Sequence, residues 1–294
     1  MAMLLAAAHP NIELIGITTV SGNGSLDKVT YNAQRICALA GIDVPVARGA
    51  NDPLAGKASA APSIHGASAL DGAELPEPHR DLSPLPAVEL IAELVSNSSE
   101  QVTLVPTGPM TNIAIFIQQH PELLSKIDHV SFMGGSVDRG NWTPYAEFNI
   151  WADPEAADVV LRSGLNITMT GLNVSHTALA TPEIMNRLLQ IDSHLASTVV
   201  DLLKFFAKTY DEVFGMPNPP LHDPIAVAAV LDPSIMRTQF LPVSIELEGE
   251  LTRGATVVDV HGVTGREANV NVGLELDVER FWDLIVDSVK VLSH

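Results

Sequence analysis

What most constrains the fold is an alternation, running from about residue 12 to residue 170. Short runs of β-branched residues trade places with stretches whose apolar residues recur at helical spacing. Ile12–Val20 (IELIGITTV) reads as a buried strand. Ser25–Ala40 reads as a helix that ends at Gly41, a residue suited to the left-handed turn that closes a helix. Val44–Ala47, Val102–Pro106, His129–Met133 and Ile167–Thr170 read as further strands. Pro86–Val95, Asn112–Gln119 and Pro154–Arg162 read as the helices between them. Asp153-Pro154 is a helix start, because Asp caps the free N–H groups and Pro sits where no N–H is needed. Residues 51–86 are loop-like, rich in Ala, Pro and Gly. This order predicts an α/β fold with a mainly parallel central sheet flanked by helices. The second half adds helices over Pro182–Gln190, Ser193–Phe214 and Asp223–Leu231. Strands at Val243–Leu247, Ala255–Val260 and Ala268–Val272 are expected to be antiparallel, and Val278–Leu292 is a closing amphipathic helix. Without a repeat or a linker, residues 1–294 are expected to form one domain.

Composition narrows the function classes. A formal charge of −19 repels phosphate backbones, and no basic cluster overcomes it, so nucleic-acid binding is excluded while neutral substrates and cations remain compatible. The apolar run Met1–Ala8 stops at His9-Pro10, far below the ~18 residues of a membrane helix. It has no basic residue before it and does not read as an export signal. The one cysteine, Cys37, lies on a helical pattern and reads as a small core residue. The cytoplasm is the expected compartment, with no membrane partner.

The segment Asn141-Trp142-Thr143-Pro144-Tyr145-Ala146-Glu147-Phe148-Asn149 packs two amides, a carboxylate and aromatic rings between a strand and a helix start. Amides offer donor and acceptor together, a carboxylate accepts strongly, and aromatic faces exclude water. Such a set suits a hydroxyl-rich ligand such as a sugar; the plainer alternative is a polar surface loop with a proline turn. In open parallel sheets ligands bind beyond the carboxyl ends of strands. Gly22-Asn23, Thr107-Gly108, Gly134-Gly135 and Asn173 each follow a strand, so these loops are expected to converge with Asn141–Asn149 on one pocket. In Leu221-His222-Asp223-Pro224 an imidazole adjoins a carboxylate at a helix start. Asp223 reads either as an N-cap or as a hard-cation ligand, and His222 either as a loop residue or as a general acid.

Longer strings carry a resemblance. TTVSGN (Thr18–Asn23), IHGASALDG (Ile64–Gly72), VPTGPMTNIA (Val105–Ala114) and FMGGSVDRGNWTPYAEFNIWADPEAA (Phe132–Ala157) resemble the nucleoside hydrolases, in order along the chain. So do TMTGLNVSHTALATPE (Thr168–Glu183), PLHDPIAVAAVLDP (Pro220–Pro233) and ELTRGATVVD (Glu250–Asp259). The resemblance implies an inosine–uridine type N-ribohydrolase in which a bound calcium activates water to split ribose from base. On matching positions, Asp223 and the Thr107 carbonyl would be metal ligands, with Asp223 also touching the ribose. Asn23 would help hold the attacking water. Asn141, Glu147 and Asn149 would grip the ribose hydroxyls, with Met133 and Phe148 lining the sugar pocket. His222 would protonate the departing base. A homodimer or homotetramer is implied as well.

Two departures stand out. Members of the family begin with a strand ending in a motif of the form D-x-D-x-G-x-D-D, which supplies two metal ligands, a ribose contact and the general base. Here Met1-Ala2-Met3-Leu4-Leu5 resembles the helix just after that motif, and no later segment replaces it. The true start is therefore expected to lie upstream. The 294-residue chain is expected to bind calcium weakly and turn over slowly, and the alternative function is an inactive nucleoside- or ribose-binding protein. The second departure is Ala69, where the resembling loop usually has Gly.

Overall fold

A computed structural model describes residues 1–58 and 62–293. Along the chain run α1 (Ala2–Ala8), β1 (Ile17–Thr18), α2 (Leu26–Ala40), β2 (Val46–Ala47), α3 (Pro62–His65) and α4 (Ala87–Asn97). Then come β3 (Val102–Leu104), α5 (Thr111–Gln119), β4 (Ile127–Met133), α6 (Phe148–Ala152), α7 (Pro154–Leu161) and β5 (Ile167–Thr170). The second half holds α8 (Leu172–Ser175), α9 (Pro182–Leu189), α10 (His194–Phe214), α11 (Pro224–Leu231), β6 (Met236–Leu241), β7 (Val243–Ile245), β8 (Thr256–Val258), β9 (Val270–Leu276) and α12 (Val278–Val291). A five-stranded sheet in the order β3-β4-β5-β9-β6 is parallel except for β6, and β1 with β2 and β7 with β8 form separate two-stranded ribbons.

Alternate side chains of β4 face opposite layers, as the two-residue period of a strand requires. Val130 and Phe132 join the core packed under α4, α5 and α7. Ser131 and Met133 turn to the other layer, where Ser131 Oγ donates to the Ala226 carbonyl of α11 at 2.8 Å. That second layer also buries Leu4 and Leu5 of α1 with Phe281, Trp282 and Ile285 of α12. Helix boundaries follow the capping chemistry. Asp153 accepts from Ala156 N, Thr181 from Ile184 N, Ser193 from Ala196 N and Asp277 from Arg280 N, while Gly41 closes α2 at φ +65°. Among the described residues no helix is long and apolar enough to cross a membrane, and Cys37 is buried.

Several expectations are corrected. Ile12–Val20 forms a strand only at Ile17–Thr18, because its partner β2 is two residues long. Ala268–Val272 is not simply antiparallel: β9 pairs parallel with β5 and antiparallel with β6. Strand β6 carries no sequence signal, since an edge strand whose middle residues Arg237–Phe240 are exposed shows no apolar alternation. Part of the polar loop is helical, with Glu147 as the N-cap of α6. The loop-like stretch 51–86 contains the short α3, and its residues 59–61 lie outside the described residues.

Candidate active site

A cavity of about 410 Å³ opens beyond the carboxyl ends of β1, β3 and β4 and is closed on its far side by α2, α10 and the 64–71 loop. Asn23, Thr107, Met133, Asn141, Glu147, Phe148, Asn149, His222 and Asp223 all line it. Residues far apart in sequence meet because they end or follow strands of the main sheet and of the β1–β2 ribbon, or open helices, around the same cavity. Asn173 does not join them. Its amide donates to Gly273 O at 2.9 Å and its Oδ1 accepts from Val137 N at 3.3 Å, so it braces β9 against the loop after β4.

One end of the cavity is polar and pinned to the backbone. Glu147 is buried, and its carboxylate accepts from Gly135 N at 3.0 Å, Asn149 N at 2.9 Å and Ile150 N at 3.1 Å. Burial pushes its pKa up to about 7 against the pull of those three N–H groups, and the charge of Asp223 adds to the rise. Asn149 Nδ2 donates to Met133 O at 3.1 Å and reaches Thr107 O at 3.4 Å, joining the ends of β3 and β4. Asn141 Oδ1 accepts from Phe148 N at 2.9 Å. The turn before it is drawn tight: Gly140 N donates to Pro144 O at 3.0 Å, and a Cβ at Gly140 would stand 2.1 Å from Thr143 O. Trp142 packs edge-on to Phe148, with ring centroids 5.0 Å apart, and covers this corner.

His222 forms a second polar group in the cavity. Its Nδ1 lies 2.7 Å from Ser175 Oγ and its Nε2 3.0 Å from Tyr210 Oη. The ring is half-buried by exposure, but what is exposed faces the cavity, deep inside the protein. Burial, with His176 and His65 nearby, lowers its pKa to about 3. With that shift the ring is neutral in the free cavity, one nitrogen a donor and the other an acceptor. Burial and the charge of Glu147 drive the Tyr210 phenol far above its usual range, with the Asn141 amide opposing. His65 is stacked on Phe206 at 5.7 Å, and burial pushes its pKa down to about 4.

Asp223 sits at the N-cap position of α11, yet its carboxylate makes no capping hydrogen bond, because its own backbone is already helical (φ −57°, ψ −42°). The capping alternative is thus removed, and the carboxylate faces the cavity. Burial raises its pKa to about 6, opposed by the amino group of Met1. The chemistry of the donors does not fit a resident calcium. Asp223 and the Thr107 carbonyl are two oxygens where calcium takes 6–8. Among the described residues no group of three or more His, Cys, Asp or Glu is placed to hold a metal.

Sequence reasoning missed Tyr210, Ser175, His65 and Phe206. Tyr210 and Phe206 lie on the amphipathic α10 and read as core there; Ser175 lies inside the string TMTGLNVSHTALATPE but carries no chemistry of its own in the sequence. His65 had a signal, being inside the string IHGASALDG.

The family model described as inosine-uridine preferring nucleoside hydrolase matches residues 1–283. The pyrimidine-specific ribonucleoside hydrolase RihA of Shewanella baltica (strain OS185) is 46% identical over 293 residues, covering 99% of this chain and 92% of that protein. RihA of Photobacterium profundum is 43% identical over 289 residues, covering 98% and 93%. Among solved structures, a purine-preferring ribonucleoside hydrolase from Gardnerella vaginalis superposes with a TM-score of 0.92 at 31% identity, covering 99% of this chain and 94% of that one.

Proposed function

Since this chain belongs to the inosine-uridine preferring nucleoside hydrolase family and is a ribonucleoside hydrolase, we propose that its cavity holds a nucleoside with ribose at the Glu147 end and base at the His222 end. Water adds its oxygen to the anomeric carbon, the carbon–nitrogen bond breaks, the electron pair leaves with the base, and the base gains a proton. Glu147, Asn149 and Asn141 bind the ribose hydroxyls, Met133 and Phe148 bound the sugar, and Asn23 holds the incoming water. The observation that carries the reading is that a backbone-pinned carboxylate and amides share one cavity with the His222–Tyr210 pair.

Bond breaking builds positive charge on the ring. Glu147 and Asp223, whose pKa values are raised in the free cavity, are drawn back to the ionised form by that charge and stabilise the transition state more than the ground state. His222, neutral, offers a hydrogen bond to the departing base. Calcium, which the resemblance implies, lacks ligands among the described residues beyond Asp223 and Thr107, so no step here runs through it. A pyrimidine is the preferred base, supported by the names of the relatives that are 43–46% identical.

The test is release of free base from uridine, cytidine and inosine by the 294-residue chain, with calorimetric calcium titration beside it. Slow release favouring the pyrimidines, with weak calcium binding, is the expected result. Nucleoside or ribose binding with no base released would replace the reading with that of a binding protein. Tight stoichiometric calcium binding would show a metal site complete within the chain.

A further inference from the structure

Ser175 ends the short helix α8 and is fully buried. Among the described residues its Oγ has one hydrogen-bond neighbour, His222 Nδ1. The hydroxyl carries one proton and the neutral imidazole carries one, so two arrangements are open. If Nδ1–H donated to Ser175, the serine proton would be left buried without an acceptor, which is the costlier arrangement. If the serine donates to Nδ1, the ring proton sits on Nε2 and points at Tyr210 Oη, 3.0 Å away, and the proton left over is the phenol's, on a residue that lines the cavity, where water can accept it. The position of the serine is itself set from the other end of the cavity. Gly135 donates its N–H to Glu147 Oε2 and accepts at its carbonyl from Leu172 N at 2.9 Å, the first residue of α8. One glycine thus anchors both the sugar-gripping carboxylate and the helix that carries Ser175.

We propose that Ser175 is a positioning residue that fixes the tautomer of His222, keeping its proton on Nε2 so that the ring is a donor toward Tyr210 and the base end of the cavity. The kinetic consequence rests on the functional reading above; the tautomer does not. In nitrogen-15 spectra of the full chain, with the His222 signals identified by their loss in His222→Gln, the wild type shows protonation at Nε2. Ser175→Ala shifts the proton to Nδ1 or to a mixture, and Ser175→Thr, which keeps the hydroxyl, restores it. An Nδ1-protonated wild type, or an unchanged tautomer in Ser175→Ala, overturns the proposal. Should Ser175→Ala fail to fold in thermal melts, Ser175→Cys, of similar size and a weak donor, takes its place.

The second readout separates positioning from structure. Ser175→Ala is expected to lower kcat on uridine roughly tenfold or more and to leave an aryl riboside, whose phenolate departs unaided, unchanged. An equal fall on both substrates indicates a structural role and overturns the kinetic claim. If neither substrate is hydrolysed by the wild type, the functional reading fails, and the spectra still decide the tautomer.

Discussion

Around Glu147, where the proposed reading places the sugar, the polar side chains are held mainly by backbone groups, while around His222, where it places the base, they hold one another. Glu147, Asn149 and Asn141 answer to peptide N–H and C=O groups at the ends of β3 and β4 and in α6. His222 answers to the side chains of Ser175 and Tyr210, and His65 to the ring of Phe206. Backbone contacts persist when neighbouring side chains are exchanged; side-chain contacts do not. A site built this way can keep its sugar grip and vary its base preference by single substitutions on α10 or the 64–71 loop.

The sharpest break in this comparison comes from Glu147→Ala. It leaves three N–H groups without their acceptor, which costs about 3 kcal/mol or more of stability. Activity should fall by roughly two to three orders of magnitude, by the same factor on uridine and inosine, because the sugar is common to both. A base-dependent loss would show that the two ends are not independent.

The same carboxyl gives a pH signature. Its folded pKa of about 7 lies above the ordinary 4.5, so the folded state binds the proton more tightly. The stability this provides is fully present below about pH 4.5 and is lost as pH rises through about 7, an effect of about 3 kcal/mol. Urea denaturation across that window should show a falling stability that Glu147→Gln flattens. Parallel slopes for the two proteins would mean that Glu147 is ionised throughout.

His222→Ala tests the base end. Uridine hydrolysis should slow by about a hundredfold, with an aryl riboside little affected. Equal losses on both would assign His222 a structural part and leave the base end without a donor.

The same division governs what the sequence showed. The sugar end was legible because its residues lie in one continuous loop whose density of amides, carboxylate and aromatics has no use in a core. The helices flanking the sheet were legible from period and caps, down to Asp153 and Gly41. The base end was hidden, since Phe206 and Tyr210 sit on the buried stripe of α10, where an aromatic that lines a cavity and one that fills a core look alike. Strand β6 was hidden for the opposite reason, its exposed middle residues giving no alternation. Asp223 misled in one respect: a carboxylate before proline at a helix start promises a cap, and only the backbone angles show that the cap is not made.

The smallest expected effect compares two left-handed backbone positions, one at each end. At the sugar end Gly135, at φ +69°, meets the requirement without strain; at the base end the position is filled by Ala69, at φ +65°. A Cβ in that region crowds the following carbonyl, which costs about 1–2 kcal/mol. Ala69 lies in a turn that is held from several sides: Asp71 accepts from Ala67 N at 2.9 Å and Ser68 N at 3.0 Å, and Asn32 of α2 donates to Ser68 O at 2.8 Å. The turn therefore imposes its angles on whatever residue occupies it. Ala69→Gly relieves the strain but loosens the unfolded chain and removes a buried methyl, both of which oppose the gain. The three nearly cancel, leaving a net stabilisation of about 0.5 kcal/mol at most, read as a rise in Tm of about 1 °C. A fall in Tm would mean that the methyl group, which lines the cavity, packs well enough there to outweigh the strain, and that this part of the base end is shaped by packing and not by backbone geometry.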